Sequence, residues 1–453
     1  VPQHRIPKQI HLAAHFPGVN NTTVWSDPRS GSQIDFASFV HLARTAERGL
    51  FDFFFLAEGL RLREHRGRIH DLDVVGRPDT FTVLNALAGV TSRLGLAGTI
   101  NTTYNEPFEL AKQFATLDHL SGGRAAWNAV TSSDAFTGEN FRRGGYLEHA
   151  KRYTRAAEMV DATRALWDSW PAGPVVDRAR GVFAPTPPRV RFDSDQFAVE
   201  GRFVLPRGPQ GYPVQLQAGD SDEGREFAAA KADAVFTVHG TLEAGQAFYT
   251  DVKNRLAKYG RDRADLKILP AATFVLGDTA EAARERARHI RHQQVGPQTA
   301  IAFLEQIWGR DLSGYDADGP LPDIDPVDNP DITRGRVRHA KDPRAVAAAW
   351  RARAEGEGLS IRELVIAETA RPQFVGTPRA VAAEIDRYVQ SDACDGFILV
   401  PHLTPAGLDE FVDRVVPELQ ELGSFRTAYT GTTLRDHLGL PHPHAHTEGA
   451  RAS

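Results

Sequence analysis

The chain has 453 residues, with 53 Lys and Arg against 58 Asp and Glu, a formal net charge of -5, 41% hydrophobic residues and one cysteine. The lone Cys394 excludes an intramolecular disulfide and a thiolate metal cage, and the near-neutral charge lacks the basic excess that non-specific nucleic-acid binding requires. No run of about 18 uncharged apolar residues occurs, and the opening VPQHRIPKQIHL lacks the charged-then-apolar build of a signal peptide, so the expected setting is the cytoplasm, with neither membrane nor nucleic acid as partner.

Short apolar, β-rich runs alternate with amphipathic helical stretches, the order expected of parallel βα units. Strands are predicted at about residues 9–14, 51–57, 94–100, 125–131, 214–218, 234–238, 267–276 and 396–400, with helical patterns such as 36–48 and 148–167 between them. The second strand is almost unbroken in its apolarity, as expected where helices cover one face and a packed interior the other. Eight such units predict an α/β fold, a (β/α)8 barrel, as one domain over residues 1–440. Insertions are expected at about 58–78, 171–213 and 279–372, and a disordered tail at 441–453. The third insertion carries DLSGYDADGPLPDIDPVDNPD, with seven Asp between Asp311 and Asp331. Pro and Asp at that density predict irregular surface chain, either a lid over a pocket or a solvated connector.

The chain lacks a GxxxxGK[ST] loop, a strand-linked GxGxxG, an HExxH and a GxSxG elbow, so catalysis must rest on residues scattered around the rim where barrel strands end. Those ends carry His11 and His15 on one face of the first strand, Glu58 after the second and Thr99 and Asn101 at the third. Asn128, Ser132 and Ser133 close the fourth, Ala218 to Ser221 the fifth, and His402 follows the eighth. The two histidines read either as site-lining or core groups or, with Glu58 and His402, as metal ligands. Glu58 is either functional or the ion-pair partner of Arg61 or Arg63 in RLREHRGR, a stretch that offers either a basic substrate pocket or arginines paired with Glu58, Glu64 or Asp71. A rim rich in hydroxyls and amides and poor in titratable pairs suits a polar heteroaromatic ligand better than hydrolysis. In QAGDSDEGREFAAAKADAVF the chain passes from strand to helix through Gly219 and Gly224, with Ser221 as N-cap. That helix start suits a phosphate, although Asp220, Asp222 and Glu223 oppose an anion unless they turn away. An ordinary capped helix is the alternative.

Four stretches in order, LGLAGTINTTYNEPFELAKQFATLDHLSGGRAAWNAVTS, HAKRYTRAAEMVDATRALW, QAGDSDEGREFAA and DGFILVPHLTPAGLDEFVDRVVPELQ, resemble the nitrilotriacetate monooxygenase group of bacterial luciferase-like flavin monooxygenases. That group includes dibenzothiophene sulfone, pristinamycin-synthesis and long-chain alkane monooxygenases, and the resemblance spans roughly residues 6–440. It implies a barrel that receives reduced FMN from a separate NAD(P)H:flavin reductase and uses O2, through a flavin C4a-(hydro)peroxide, to oxidise a small organic substrate. Carried over residue by residue, the flavin contacts fall on Glu58, where many members have Asp, and on Thr99, Ser132, Tyr153, Ala218 and Ser221. Tyr153 and Ser221, with the backbone near Ala218, would meet the phosphate. His15, Asn128 and His149 are the catalytic candidates, His149 sharing a helix face with Tyr153. The resemblance implies no metal, and a homodimer or homotetramer is expected. The loop after strand 1 has no Cys, and Ser133 stands where the alkane-oxidising type has His, so that constellation is absent. Two other readings remain: a deazaflavin (F420)-dependent hydride-transfer enzyme of the same superfamily, and a barrel that binds flavin without turnover.

Overall fold

A computed structural model describes residues 7–18, 22–69, 76–132, 135–141, 149–171, 176–184, 186–334, 342–371 and 373–443. Eight parallel strands close a barrel: β1 (His11–Phe16), β2 (Phe53–Leu56), β3 (Gly95–Asn101), β4 (Ala125–Val130), β5 (Val214–Ala218), β6 (Ala234–Thr237), β7 (Lys267–Leu276) and β8 (Gly396–Leu399). Each strand pairs with the next, and β8 returns to β1 through His11↔Gly396 to Ala14↔Leu399. β1 starts later than its apolar pattern suggests, because the Ile10 N–H bonds the Ser424 carbonyl at 2.8 Å instead of a barrel neighbour. The shift carries His15 into the strand.

Alternation along each strand sorts side chains between two cores. Ala13, Phe53, Phe55, Ala97, Ala126, Leu216, Ala234, Leu269 and Ile398 fill the barrel interior. Leu12, Ala14, Phe54, Leu56 and Leu96 face outward and pack on the helical layer through Phe39, Leu42, Leu84 and Ile385. That layer includes α1 (Phe36–Arg48), α2 (Thr80–Ala88), α3 (Pro107–Ser121), α4 (His149–Asp168), α5 (Asp222–Lys231) and α6 (Leu242–Arg255). After β7 come α7 (Ala280–Gln294), α8 (Pro297–Trp308), α9 (Pro343–Glu357), α10 (Ile361–Glu368) and α11 (Pro378–Gln390). Among the described residues no helix is long and apolar enough to cross a membrane.

The N-terminal end of the barrel is sealed by the short helix Leu434–Leu438, whose Leu434 and Leu438 pack with Leu440 on the interior residues. Gly95 makes room for it: a Cβ there would lie 2.6 Å from Leu434 Cδ1 and 2.8 Å from the Asp52 carbonyl. His11 belongs to this base, with Nδ1 3.3 Å from the buried Asp52 carboxylate. The two histidines share a strand face but serve opposite ends of the barrel. Residues 441–443, at the start of the expected tail, are described. Arg435 and Arg207 donate to the Pro441 and Pro443 carbonyls, and His442 pairs with Asp436 at 2.8 Å. Residues 444–453 lie outside the described chain.

The first and third insertions are sewn together. The hairpin Glu64–His65 and Arg68–Ile69 is joined by Thr333–Arg334, with Thr333 opposite His65. Beneath it the buried Glu305 of α8 accepts from Arg66 at 3.0 Å and from the Leu312 N–H at 2.7 Å, and it meets His65 Nε2. The Asp-rich run has no helix or strand over residues 309–329, yet it is anchored, since Leu312 and Ala317 enter a separate core with Leu304, Trp308, Ala347 and Ile361. Arg66 of RLREHRGR is tied to Glu305 and Asp311 and is committed to this joint rather than to a substrate pocket.

Leu438→Ala should cost about 3 kcal/mol in denaturant unfolding by opening a cavity at the barrel base, whereas Leu120→Ala, at a site 64% exposed, should change stability by less than about 0.5 kcal/mol. Equal effects would contradict the packing described for the base.

Candidate active site

At the C-terminal mouth, inward positions one step beyond the apolar interior become polar or aromatic. Phe55 stacks on Phe236 across the barrel, with centroids 5.6 Å apart and planes 13° apart, forming a dry floor. His15 lies 5.3 Å from Phe55, and neither of its ring nitrogens has a hydrogen-bond partner. Burial, then Arg77 and Arg371, lower its pKa to about 3, so the ring is neutral near neutral pH.

Next around the rim, Asn128 donates to Thr99 Oγ1 at 3.0 Å while its own Oδ1 is buried without a partner. The Glu58 carboxylate accepts from the Asn101 backbone N–H at 2.9 Å and from its Nδ2 at 3.1 Å. The expected ion pair with Arg61 or Arg63 is not what holds it. Burial is the largest influence on Glu58 and, reinforced by Asp79, raises its pKa to about 7 against the two Asn101 bonds. The Ser132 N–H donates to Thr103 Oγ1 at 3.0 Å. Ser133 lies outside the described residues, as does the side chain of His149, whose backbone opens α4.

A second constellation forms where β5 runs into α5. Ser221 is the N-cap and accepts from the Gly224 N–H at 3.1 Å. Tyr153 on α4 brings its hydroxyl within 3.4 Å of Ser221 Oγ. A Cβ at either Gly219 or Gly224 would come within 3.1 Å of that hydroxyl, so both glycines keep the turn open. Arg155, buried two residues further along α4, donates to the Thr102 and Asn105 carbonyls at 2.9 and 3.1 Å and fixes α4 against the β3 loop. Two of the acids that oppose an anion are engaged elsewhere, Asp220 accepting from Thr237 at 2.7 Å and Asp222 from Arg255 at 2.6 Å, while Glu223 stays in the first turn and is exposed. This cradle of hydroxyls and free helix N–H groups fits a phosphate.

Glu58, Thr99, Asn128, Ser132, Tyr153, Ala218 and Ser221 therefore follow one another around the β2–β5 side of the mouth, and His15 sits beside them on β1. His402 does not join them, since its charged neighbours are Arg286, Arg29, Glu410 and Asp27. Sequence reading missed Gln217, whose Oε1 is buried and unpartnered and whose Nε2 would lie 2.7 Å from a Cβ at Gly219. The alternating amides of VQLQA were the available signal. On the β6–β8 side the mouth widens into a cavity of about 200 Å³ bounded by Thr273, Val400, Arg291 and Arg371. Nothing in the sequence pattern marked those two arginines.

Residues 18–415 match the family described as luciferase-like monooxygenase. The chain is 39% identical over 446 residues to N-acetyl-S-(2-succino)cysteine monooxygenase of Bacillus subtilis (strain 168), covering 96% of this chain and 98% of that one. It is also 39% identical over 425 residues to nitrilotriacetate monooxygenase component A of Aminobacter aminovorans, covering 90% and 91%. The crystal structure of a riboflavin lyase with modified FMN and riboflavin superposes with a TM-score of 0.77 at 26% identity, covering 95% and 96%. The chain belongs to the luciferase-like monooxygenase family. It is an enzyme, a flavin-dependent monooxygenase.

The raised pKa of Glu58 makes the folded chain hold a proton that the unfolded chain releases above its ordinary value of 4.5. Its contribution to stability is complete below 4.5 and is lost as pH rises through about 7. Wild-type Tm should therefore fall relative to Glu58→Gln over that interval, and parallel Tm curves for the two proteins would disprove the shift.

Proposed function

We propose that the protein is the oxygenase component of a two-component system, receiving reduced FMN from a separate NAD(P)H:flavin reductase and using O2 to oxidise a small organic substrate. The observation that carries this reading is the cradle of Tyr153, Ser221, Gly219 and Gly224 beside unpartnered amide oxygens of Asn128 and Gln217. A phosphate site next to unsatisfied, buried amide groups suits a phosphorylated heteroaromatic cofactor. Reduced flavin, when bound, supplies the activation of O2.

The protein's part is binding, orientation and exclusion of water. Tyr153, Ser221 and the backbone from Ala218 hold the phosphate, and Thr99, Asn128, Ser132 and Glu58 present hydrogen-bonding groups to the ring. Glu58, with a pKa of about 7, exists partly as the acid near neutral pH and so can donate as well as accept. The Phe55–Phe236 pair keeps water from below. His15, neutral and with both nitrogens unengaged, orients a polar group through one donor and one acceptor, and does not act as a cation. His149, four residues before Tyr153 in sequence, is kept as a catalytic candidate on the resemblance alone. The relatives' named substrates, N-acetyl-S-(2-succino)cysteine and nitrilotriacetate, support a small polar organic molecule as substrate. We place the enzyme in the cytoplasm as a homo-oligomer; the free, buried Cys394 suits a reducing setting.

With a flavin reductase, NADH and FMN, the protein should consume O2 in a substrate-dependent way on some member of a panel of aminopolycarboxylates, thioethers and sulfones; product-free oxygen consumption across the panel would oppose the assignment. Tyr153→Phe and Ser221→Ala should each weaken FMN binding about tenfold, the effect of losing one hydrogen bond of ~1.4 kcal/mol. Unchanged Kd values in both variants, measured by anaerobic fluorescence titration, would remove the phosphate from this cradle.

A further inference from the structure

Two arginines of the third insertion overlook the β6–β8 side of the mouth and have no part in the reading above. Arg371 lines the cavity, is exposed, and makes no hydrogen bond or ion pair with any described residue. Arg291 spends its terminal nitrogens on Gln294 Oε1 at 2.8 Å, the Ile366 carbonyl at 3.0 Å and Thr369 Oγ1 at 3.2 Å, which leaves its Nε buried and unpartnered. Thr273 Oγ1, from the upper end of β7, is also buried without a partner. No carboxylate among the described residues lines the cavity. Burial is the main cause of the lowered pKa of Arg291 and of His15, and the charge of Arg371 adds to it in both.

The buried, unpartnered Arg291 Nε and Thr273 Oγ1 are costly to leave unbonded and call for a partner that the described chain does not provide. Two guanidinium groups without an acid between them repel, so the missing partner is an anion. A guanidinium is a planar fork of donors whose best match is an equally planar carboxylate. The other walls combine apolar residues, Ala271, Ile366, Ala370 and Val400 among them, with the uncharged polar Thr22, Gln294 and Gln373. The space of about 200 Å³ falls below the roughly 300–1,000 Å³ of pockets for drug-sized ligands.

We infer that this cavity is the anion subsite of the substrate pocket, and that the substrate is a small organic acid whose carboxylate meets Arg371, Arg291 Nε and Thr273 while its body lies on the apolar walls. The inference rests on the mouth of the barrel being the active site. It replaces RLREHRGR, whose Arg66 is engaged by Glu305 and Asp311, as the source of positive charge for an acidic substrate. The third insertion then has a chemical role, since it carries both guanidinium groups to a rim built from β7 and β8.

Calorimetric titration of the FMN-saturated protein with succinate, and with its neutral diamide succinamide, tests this. Succinate should bind saturably and the diamide at least tenfold more weakly. Arg371→Gln, which removes no bond within the described fold, should weaken succinate at least tenfold, Arg371→Lys less, and Thr273→Val several-fold, all with FMN affinity unchanged. Equal binding of succinate and succinamide, no effect of Arg371→Gln, or no succinate binding by protein that does bind FMN would overturn the subsite. Failure of the FMN titration alone, with succinate discrimination retained, would instead count against the flavin reading and leave the subsite in place.

Discussion

One buried carboxylate joins the two ends of the chain. Asp52, at the start of β2, accepts the Leu12 N–H of β1 at 2.9 Å and the Arg426 guanidinium at 2.5 Å, and lies against His11. Burial alone would raise its pKa, but Arg426 and His11 outweigh that and keep it below the ordinary range. A fully buried charge is tolerable only when its partners are in place, so the base of the barrel forms only with the C-terminal segment docked. Tyr429, donating to the Phe51 carbonyl at 2.7 Å, and Arg435, paired with Asp233 at 2.8 Å, extend the same lock around the base. Everything at the mouth depends on it, because a closed and filled barrel is what converts strand ends into fixed positions.

Above that base the mouth is divided by chemistry. From β2 to β5 it offers hydroxyls, amides, one carboxyl group with its pKa raised to about 7 and a helix start whose Asp220 and Asp222 are bonded to Thr237 and Arg255. From β6 to β8 it offers an apolar cavity rimmed by cationic donors. A cofactor rich in hydrogen-bonding edges and an organic acid can occupy such halves side by side, and the stacked Phe55 and Phe236 underlie both. The division follows the connections: the loops after β2 to β5 and α4 serve the first half, while the long third insertion serves the second.

Much of this was legible before folding was considered. The eight strands could be read because a strand covered on both faces must be apolar at nearly every position, and FFFL in β2 shows that without any partner being named. Ser221 was legible as an N-cap because capping is local chemistry, satisfied three residues away by the Gly224 N–H. The partner of Glu58 was not, since Arg61 and Arg63 are nearer in sequence than Asn101 but the parallel pairing of β2 with β3 places Asn101 beside it. Alternation put His11 and His15 on one face, but only strand register shows that one serves the base and the other the mouth.

The sequence by itself determined the order of βα units, the capped helix after β5 and the membership of the chain in its family, because periodicity, capping and extended motifs are local properties. Tertiary structure decided which groups face one another. His65 and Glu305 meet across 240 positions, and Arg291 and Arg371 from different segments share one cavity with Thr273. Such pairings follow from barrel closure and from where insertions land, quantities that no window of residues contains.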